Sequence, residues 1–221
     1  MKPASTAFSI PDYGWTSSEA EGSHTYLQPV ILQVLKRIAA STGPSTRKLR
    51  VFDAGCGNGA LLRRLATEGY EAAGCEASES GVEQARRECG SGIRVERLSV
   101  YDDLAGCFGN QWDIVVATEV IEHLYSPRDF IRQAKRLISP GGYLLLSTPY
   151  HGYLKNLLLA ASGALDAHFT ALWDGGHVKF WSYRTLRQLL GEQELNQFEF
   201  YGAGRCPGVW KSMVVLSRKA A

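Results

Sequence analysis

The sequence has no run of about 18 apolar residues, the length a membrane span needs. Its first residues, MKPASTAFSIPDYGW, lack the apolar core of a secretory signal. Cysteine is sparse and odd in number: Cys56, Cys75, Cys89, Cys107 and Cys206, with no C-x-x-C pair. That set speaks against a disulfide framework and a cysteine zinc site, and it suits a reducing compartment. The expectation is a cytoplasmic protein. An excess of one charge is missing too, since the formal net charge is +2. The nearest things to a basic block, Arg47-Lys48-Leu49-Arg50 and Arg218-Lys219, flank apolar strand-like runs. No nucleic-acid partner is therefore expected. Internal repeats and low-complexity tracts are absent.

What is present is apolar material, 45% of 221 residues, enough for one domain with a real core. Residues 1–25, polar and carrying Tyr13, Trp15 and His24, read as an N-terminal arm or lid, and residues 26–221 as one domain. Apolar residues at helical spacing (Val30, Ile31, Val34, Leu35, Ile38) predict a helix over 26–40. Strands and helices then alternate: strand 49–53, helix 60–67, strand 71–76, helix 78–88, strand 93–100 and strand 113–118. Ser126-Pro127 supplies an N-cap and a first-turn proline for a helix to Leu137, closed by Pro140-Gly141-Gly142 before strand 143–147. Alternation of this kind implies right-handed βαβ units and a mostly parallel sheet. After residue 181 come a helix over 182–190 and strands near 198–201 and 213–216. No helix separates those two strands, so they should pair antiparallel as a C-terminal hairpin. The expected fold is α/β, with a seven-stranded, mostly parallel sheet.

Two motifs carry chemistry. The first strand runs into Asp53-Ala54-Gly55-Cys56-Gly57-Asn58-Gly59, with a helix directly after it. Glycines allow a tight turn and close approach of a ligand, and the helix start offers unpaired N–H groups. Glu76, 23 residues after Asp53, closes the second strand where a ribose would lie. Gly55, Gly57 and Ala60 formally satisfy G-x-G-x-x-G/A, which leaves a dinucleotide open. The carboxylate of Asp53 would repel a pyrophosphate but suits a cationic ligand. The second motif is Glu119-Val120-Ile121-Glu122-His123, after a buried fourth strand. In a helical turn, Glu119 and Glu122 would share a face, with His123 at i+4 from Glu119. With His177 from Gly175-Gly176-His177, these groups are candidates for holding a divalent cation, Mg²⁺ or Mn²⁺. His123 is equally a candidate general base.

DAGCGNG, Glu76 and EVIEH together resemble the class I S-adenosylmethionine-dependent methyltransferases, with their Rossmann-like sheet. Within that class, the chain is similar to the O-methyltransferases of ubiquinone biosynthesis, over about residues 26–150. The resemblance implies S-adenosyl-L-methionine as cofactor. It implies that Gly55 and Gly57 face the methionine part and Glu76 the ribose. It further implies that the Ser99-Val100-Tyr101 edge borders the adenine and that Val120 touches the cofactor through its backbone. The same resemblance makes Glu119, Glu122, His123 and His177 metal-ligand candidates, with His123 and His177 handling protons. The implied reaction is O-methylation of a phenolic or hydroxylated small molecule, including quinone precursors. N- or C-methylation, and a non-catalytic cofactor-binding partner protein, remain open alternatives.

Residues 149–181, PYHGYLKNLLLAASGALDAHFTALWDGGHVKFW, depart from that pattern and read as a substrate-side insertion. The stretch 154–165 has Lys155 as its only charged residue. A buried lid or a homodimer contact is the plainer expectation for it, and peripheral membrane contact the alternative. His151 and His168 are read as structural.

Overall fold

The structure is a computed structural model, and it describes residues 22–42, 47–169, 171–173 and 175–221. Tyr13 and Trp15 of the expected arm lie outside the described residues. Helix α1 spans His24–Ser41, so His24 and Tyr26 belong to its first turn. Pro29 is accommodated within that helix, and Leu27, Ile31, Val34, Leu35 and Ile38 form its buried stripe.

Five parallel strands follow: β1 (Arg50–Ala54), β2 (Glu71–Glu76), β3 (Arg94–Arg97), β4 (Trp112–Thr118) and β5 (Ile138–Pro149). Helices α2 (Ala60–Thr67), α3 (Glu79–Cys89), α4 (Leu104–Phe108) and α5 (Pro127–Leu137) connect them. Beyond β5 lie α6 (Tyr153–Ala161), α7 (Leu165–Phe169), α8 (Tyr183–Glu192), β6 (Leu195–Ala203) and β7 (Ser212–Lys219). The seven strands run in the order β3-β2-β1-β4-β5-β7-β6. β7 pairs antiparallel with both β5 and β6, so the expected C-terminal hairpin is present.

The sheet carries apolar cores on both faces. Phe52, Val115, Leu144, Leu146 and Val215 meet Phe130, Ile131 and Leu186 of α5 and α8 on one face. Val51, Ile114, Val116, Leu145 and Val214 meet α1 and α2 on the other. Two-sided burial is why β4 reads as an unbroken apolar run rather than an alternation.

The sequence-based boundaries need four corrections. β3 stops at Arg97, because Leu98 to Val100 turn away into a bend whose Leu98 N–H donates to the Glu76 carbonyl. β5 starts at Ile138 and runs through Pro140-Gly141-Gly142, the segment expected to stop α5. α4 was not anticipated, since five residues are too few to show a period. Ser126 does not cap α5 with its side chain; its hydroxyl donates to Asp129, and Pro127 leaves one fewer amide to satisfy.

Candidate active site

The strand order reverses between β1 and β4, where an open α/β sheet forms a crevice at its carboxyl edge. Asp53 sits there, in register with Gly74 on one side and Val116 on the other. It is 2% exposed, and its Oδ1 has no hydrogen-bond partner. Burial, with the nearby Glu76 charge, pushes its pKa up to about 7. A buried carboxylate in this state lacks a cation.

The glycine loop bends over Asp53 with Gly55, Gly57 and Gly59 all at positive φ. At Gly55 a Cβ would meet Val120 Cγ2 at 2.7 Å, so the loop and the turn after β4 interlock with no room for a side chain. Glu76 fixes the loop from the other side. One carboxylate oxygen accepts from the Gly57 N–H at 2.9 Å, the other from the Ser78 N–H at 2.8 Å. Val100 packs into the core beside this edge, and Tyr101 is exposed, its hydroxyl accepting from the Ser126 N–H at 3.2 Å.

The turn after β4 departs from the expected helical geometry. Glu119 has φ +54°, and only Ile121–His123 forms a turn of 3₁₀ helix. This twist separates the two glutamates that a helical turn would have put on one face. Glu119 turns toward β5 and β7, where its carboxylate accepts from Ser147 Oγ at 2.9 Å and Ser212 Oγ at 3.2 Å. Ser212 Oγ in turn lies 3.1 Å from the Tyr26 hydroxyl of α1. Having spent its proton on Glu119, Ser212 must accept from Tyr26.

Glu122 is fully buried, and neither carboxylate oxygen has a partner in good hydrogen-bond geometry; the Thr148 hydroxyl is near enough to favour the charged form slightly. Its pKa is raised by burial first and by the Glu119 charge second. His123 and His177 lie beside it. One ligand atom from each of Glu122, His123 and His177 falls within 4.8 Å of the others. Glu119 is not in this group, which corrects the four-residue set expected from sequence.

Residues 175–181 are stitched onto the turn. The Val178 and Lys179 N–H groups both donate to the Glu122 carbonyl at 2.9 Å, and Trp181 Nε1 donates to the Ile121 carbonyl at 3.4 Å. His123 Nδ1 lies 3.0 Å from the Gly175 carbonyl and 3.2 Å from that of Gly176. A carbonyl only accepts, so Nδ1 carries the proton. Burial lowers the pKa of His123, and burial with the neighbouring His123 lowers that of His177 to about 4. Both rings are therefore neutral at pH 7, with lone pairs suited to a proton or a metal ion.

Residues 23–198 match a protein family described as a methyltransferase domain. The chain belongs to that family. This methyltransferase domain is 31% identical over 153 residues to the ubiquinone biosynthesis O-methyltransferase of Bordetella avium, covering 68% of this chain and 61% of that protein. It is 34% identical over 145 residues to the enzyme of the same name from Mesorhizobium japonicum, covering 62% and 57%. The chain thus spans less than two thirds of the length of these curated relatives. Among solved structures it resembles the magnesium protoporphyrin IX methyltransferase of Synechocystis PCC 6803 with bound SAH. The TM-score is 0.64 at 19% identity, over 90% of this chain and 85% of that one. The methyltransferase domain of bacterial CtHen1 gives a TM-score of 0.64 at 18% identity, over 89% and 100%. Those likenesses are to the fold. The family match and the curated relatives bear out the class I S-adenosylmethionine-dependent assignment made from DAGCGNG, Glu76 and EVIEH, in preference to the dinucleotide alternative.

Several residues of the methyltransferase cleft had no sequence signal for the contacts they make, Tyr26 included, whose expected place was with the aromatics of the N-terminal lid. Ser147 and Ser212 come from separate strands and meet at Glu119, with Tyr26 of α1 joined through Ser212. Lys155, the lone charge in a leucine-rich stretch, is 6% exposed. His151 is buried and stacks with Phe169, and His168 lies 5.3 Å from it, ring to ring. Within the single chain, Leu154, Leu157 and Leu158 are each 50% exposed, which argues against a lid that buries them and leaves a contact with another surface open. Within this stretch α6 runs to Ala161, and α7 begins at Leu165. Among the described residues, no helix is long and apolar enough to cross a membrane.

Proposed function

We propose that this methyltransferase domain moves the methyl group of S-adenosyl-L-methionine to the oxygen of a phenolic or hydroxylated small molecule. The carrying observation is the unpartnered, buried Glu122 carboxylate beside two neutral histidines, one strand away from the glycine loop. That is machinery for removing or holding a hydroxyl proton. The ubiquinone O-methyltransferase relatives support oxygen as the acceptor atom.

The cofactor side fits the chemistry of the donor. Asp53, buried and short of a cation, pairs with the ammonium of the methionine part. Glu76 orders the loop and presents its carboxylate toward the ribose hydroxyls. Gly55 and Gly57 bring backbone close to the methionine part, Val120 borders it, and Val100 and Tyr101 stand at the adenine end. On the acceptor side, residues 149–181 close the cleft.

Glu122, His123 and His177 also fit a divalent cation, because orphaned carboxylate oxygens adjoin two imidazole lone pairs. One carboxylate with two imidazoles suits Mn²⁺ better than Mg²⁺, which prefers oxygen ligands throughout. A bound cation would lower the pKa of an acceptor hydroxyl.

A phenol has a pKa near ~10 and is a weak nucleophile at pH 7. When Nε2 holds no cation, His123, with Nδ1–H held by the Gly175 carbonyl, takes the hydroxyl proton on that nitrogen; its one lone pair serves either the proton or the metal. The oxygen forms its bond to the methyl carbon as the carbon–sulfur bond breaks, and the electron pair stays on sulfur as a neutral thioether. The protein's remaining task is alignment and exclusion of water. Incubation with methyl-labelled cofactor and a panel of catechols and aromatic amines tests this. Label on phenolic oxygen, lost in His123→Gln, is expected; label on amines alone overturns the reading.

A further inference from the structure

The residue at the head of the EVIEH turn is a glutamate in a backbone region that favours glycine, and its surroundings must hold it there. Two serines from other strands do so. Ser147, on β5, grips both the backbone and the side chain of Glu119. Its carbonyl and its Oγ accept from the Glu119 N–H at 3.2 and 3.0 Å, and the same Oγ donates to one carboxylate oxygen at 2.9 Å. Ser212, which opens β7, donates to the other oxygen at 3.2 Å. It lies opposite Pro149, two residues along from Ser147, so the two hydroxyls stand on one face of the sheet. Both serines are buried, which keeps water from competing for the carboxylate.

The bend held in this way reaches both halves of the cleft. Val120, the next residue, lies so close over Gly55 that the glycine loop and the turn interlock. Glu122 and His123 then leave the turn beside His177. The 3₁₀ segment between them is three residues long, too short to fix its own orientation. One backbone bend therefore sets the cofactor loop and the proton-handling groups relative to each other. Ser212 makes no contact of its own with the three candidate ligands: its hydroxyl bonds to Glu119 and Tyr26. Any effect of Ser212 on those ligands must pass through Glu119.

We propose that Ser147, Ser212 and Glu119 are positioning residues: the two hydroxyls clamp the glutamate in its left-handed bend, and the bend aims Glu122 and His123 while seating Val120 on the glycine loop. Glu119 keeps this place when a cation binds, so it orients the ligands and is not one of them. The inference rests on the O-methylation reading for the role of His123, and on the fit of Glu122, His123 and His177 to a divalent cation.

The full chain is titrated with Mn²⁺ alone, and free Mn²⁺ is followed by electron paramagnetic resonance. The titration is run at pH 8 to keep Glu119 ionised, because burial raises its pKa. Ser212→Ala opens one side of the clamp and should weaken Mn²⁺ binding about tenfold. Glu119→Gln keeps the clamp, since an amide accepts from Ser147 and donates to Ser212, whose hydroxyl rotates; it should cost less affinity than Ser212→Ala. A ligand role for Glu119 predicts the reverse. Ser212→Ala would then free the carboxylate and leave binding unchanged or tighter, and Glu119→Gln would be the more damaging change. Either result overturns the proposal. If Ser212→Ala does not fold, Glu119→Gln decides: a loss of less than about tenfold supports the clamp, and a larger one overturns it. If the unaltered chain binds no Mn²⁺, the cation reading falls and the C2–H proton resonance of His123, assigned through His123→Gln, decides. A shift of that resonance in Ser212→Ala supports the clamp, and an unmoved one overturns it. Methyl label on amines alone sinks O-methylation and leaves the clamp to these two measurements, which use no acceptor.

Discussion

Cofactor affinity should depend steeply on pH near neutrality, through Asp53. This carboxyl is buried, has an oxygen without a partner, and has its pKa pushed up to about 7 by burial and by Glu76. At pH 6 about one eleventh of it is ionised, and at pH 7 about half. The α-amino group of the ligand, with a pKa near ~8, stays protonated across that interval. If the ammonium binds only the ionised carboxyl, affinity rises about fivefold from pH 6 to pH 7, or about 1 kcal/mol. Binding at pH 6 then releases about 0.9 proton, and at pH 7 about 0.5. Titration calorimetry with S-adenosylhomocysteine in buffers of different ionisation enthalpy reads both quantities. Asp53→Asn should bind more weakly and lose the slope. A flat profile in the unaltered protein, or the same slope in Asp53→Asn, would refute the reasoning. The ligand-free protein carries the linked effect. A carboxyl whose folded pKa lies above its unfolded value contributes stability fully below about pH 4 and loses it as pH rises through about 7. Melting temperature should therefore fall from pH 5 to pH 8, and less so in Asp53→Asn.

Gly55→Ala should destabilise the fold by about 2–4 kcal/mol, from the left-handed backbone and from overpacking against Val120. For a domain of this size, that lowers the melting temperature by ~4–16 °C in a thermal scan, and cofactor affinity should fall with it. Glu122→Gln should weaken Mn²⁺ binding by at least about tenfold, followed as free Mn²⁺ by electron paramagnetic resonance. Because burial disfavours the charged form of Glu122 and the neutral amide has the same shape, the same variant should melt no lower than the unaltered protein; an unchanged Mn²⁺ affinity removes the metal reading.

Local signals were enough where a short stretch of sequence determines its own geometry. DAGCGNG between a strand and a helix located the loop, and Glu76 was found because it closes the next strand. Helix α2 and strand β2 have the boundaries their patterns predict, since glycine stops and two-sided burial mark their ends. The EVIEH turn was misread for a physical reason. An i, i+3 argument assumes right-handed backbone throughout, and Glu119 leaves that region at φ +54°. Its side chain then answers to Ser147 and Ser212, which are remote in sequence.

Residues 149–181 show the opposite limit. Their leucines carry the strongest sequence pattern, yet Leu154, Leu157 and Leu158 stand half exposed, while Lys155 between them is buried. No periodicity forecasts a buried lysine, because what buries it is the Lys211 carbonyl and the β6–β7 loop.

The sequence by itself determined the α/β alternation, the antiparallel final hairpin and the acid-and-glycine edge, because each depends on residues adjacent in the chain. Only the tertiary structure decided which groups meet across the crevice: Glu122 with His123 and His177, Glu119 with two serines, Lys155 with the Lys211 carbonyl. Those encounters are fixed by strand order and by how residues 150–181 fold back over the sheet edge. Burial then sets their charges, and burial is a property of the packed chain.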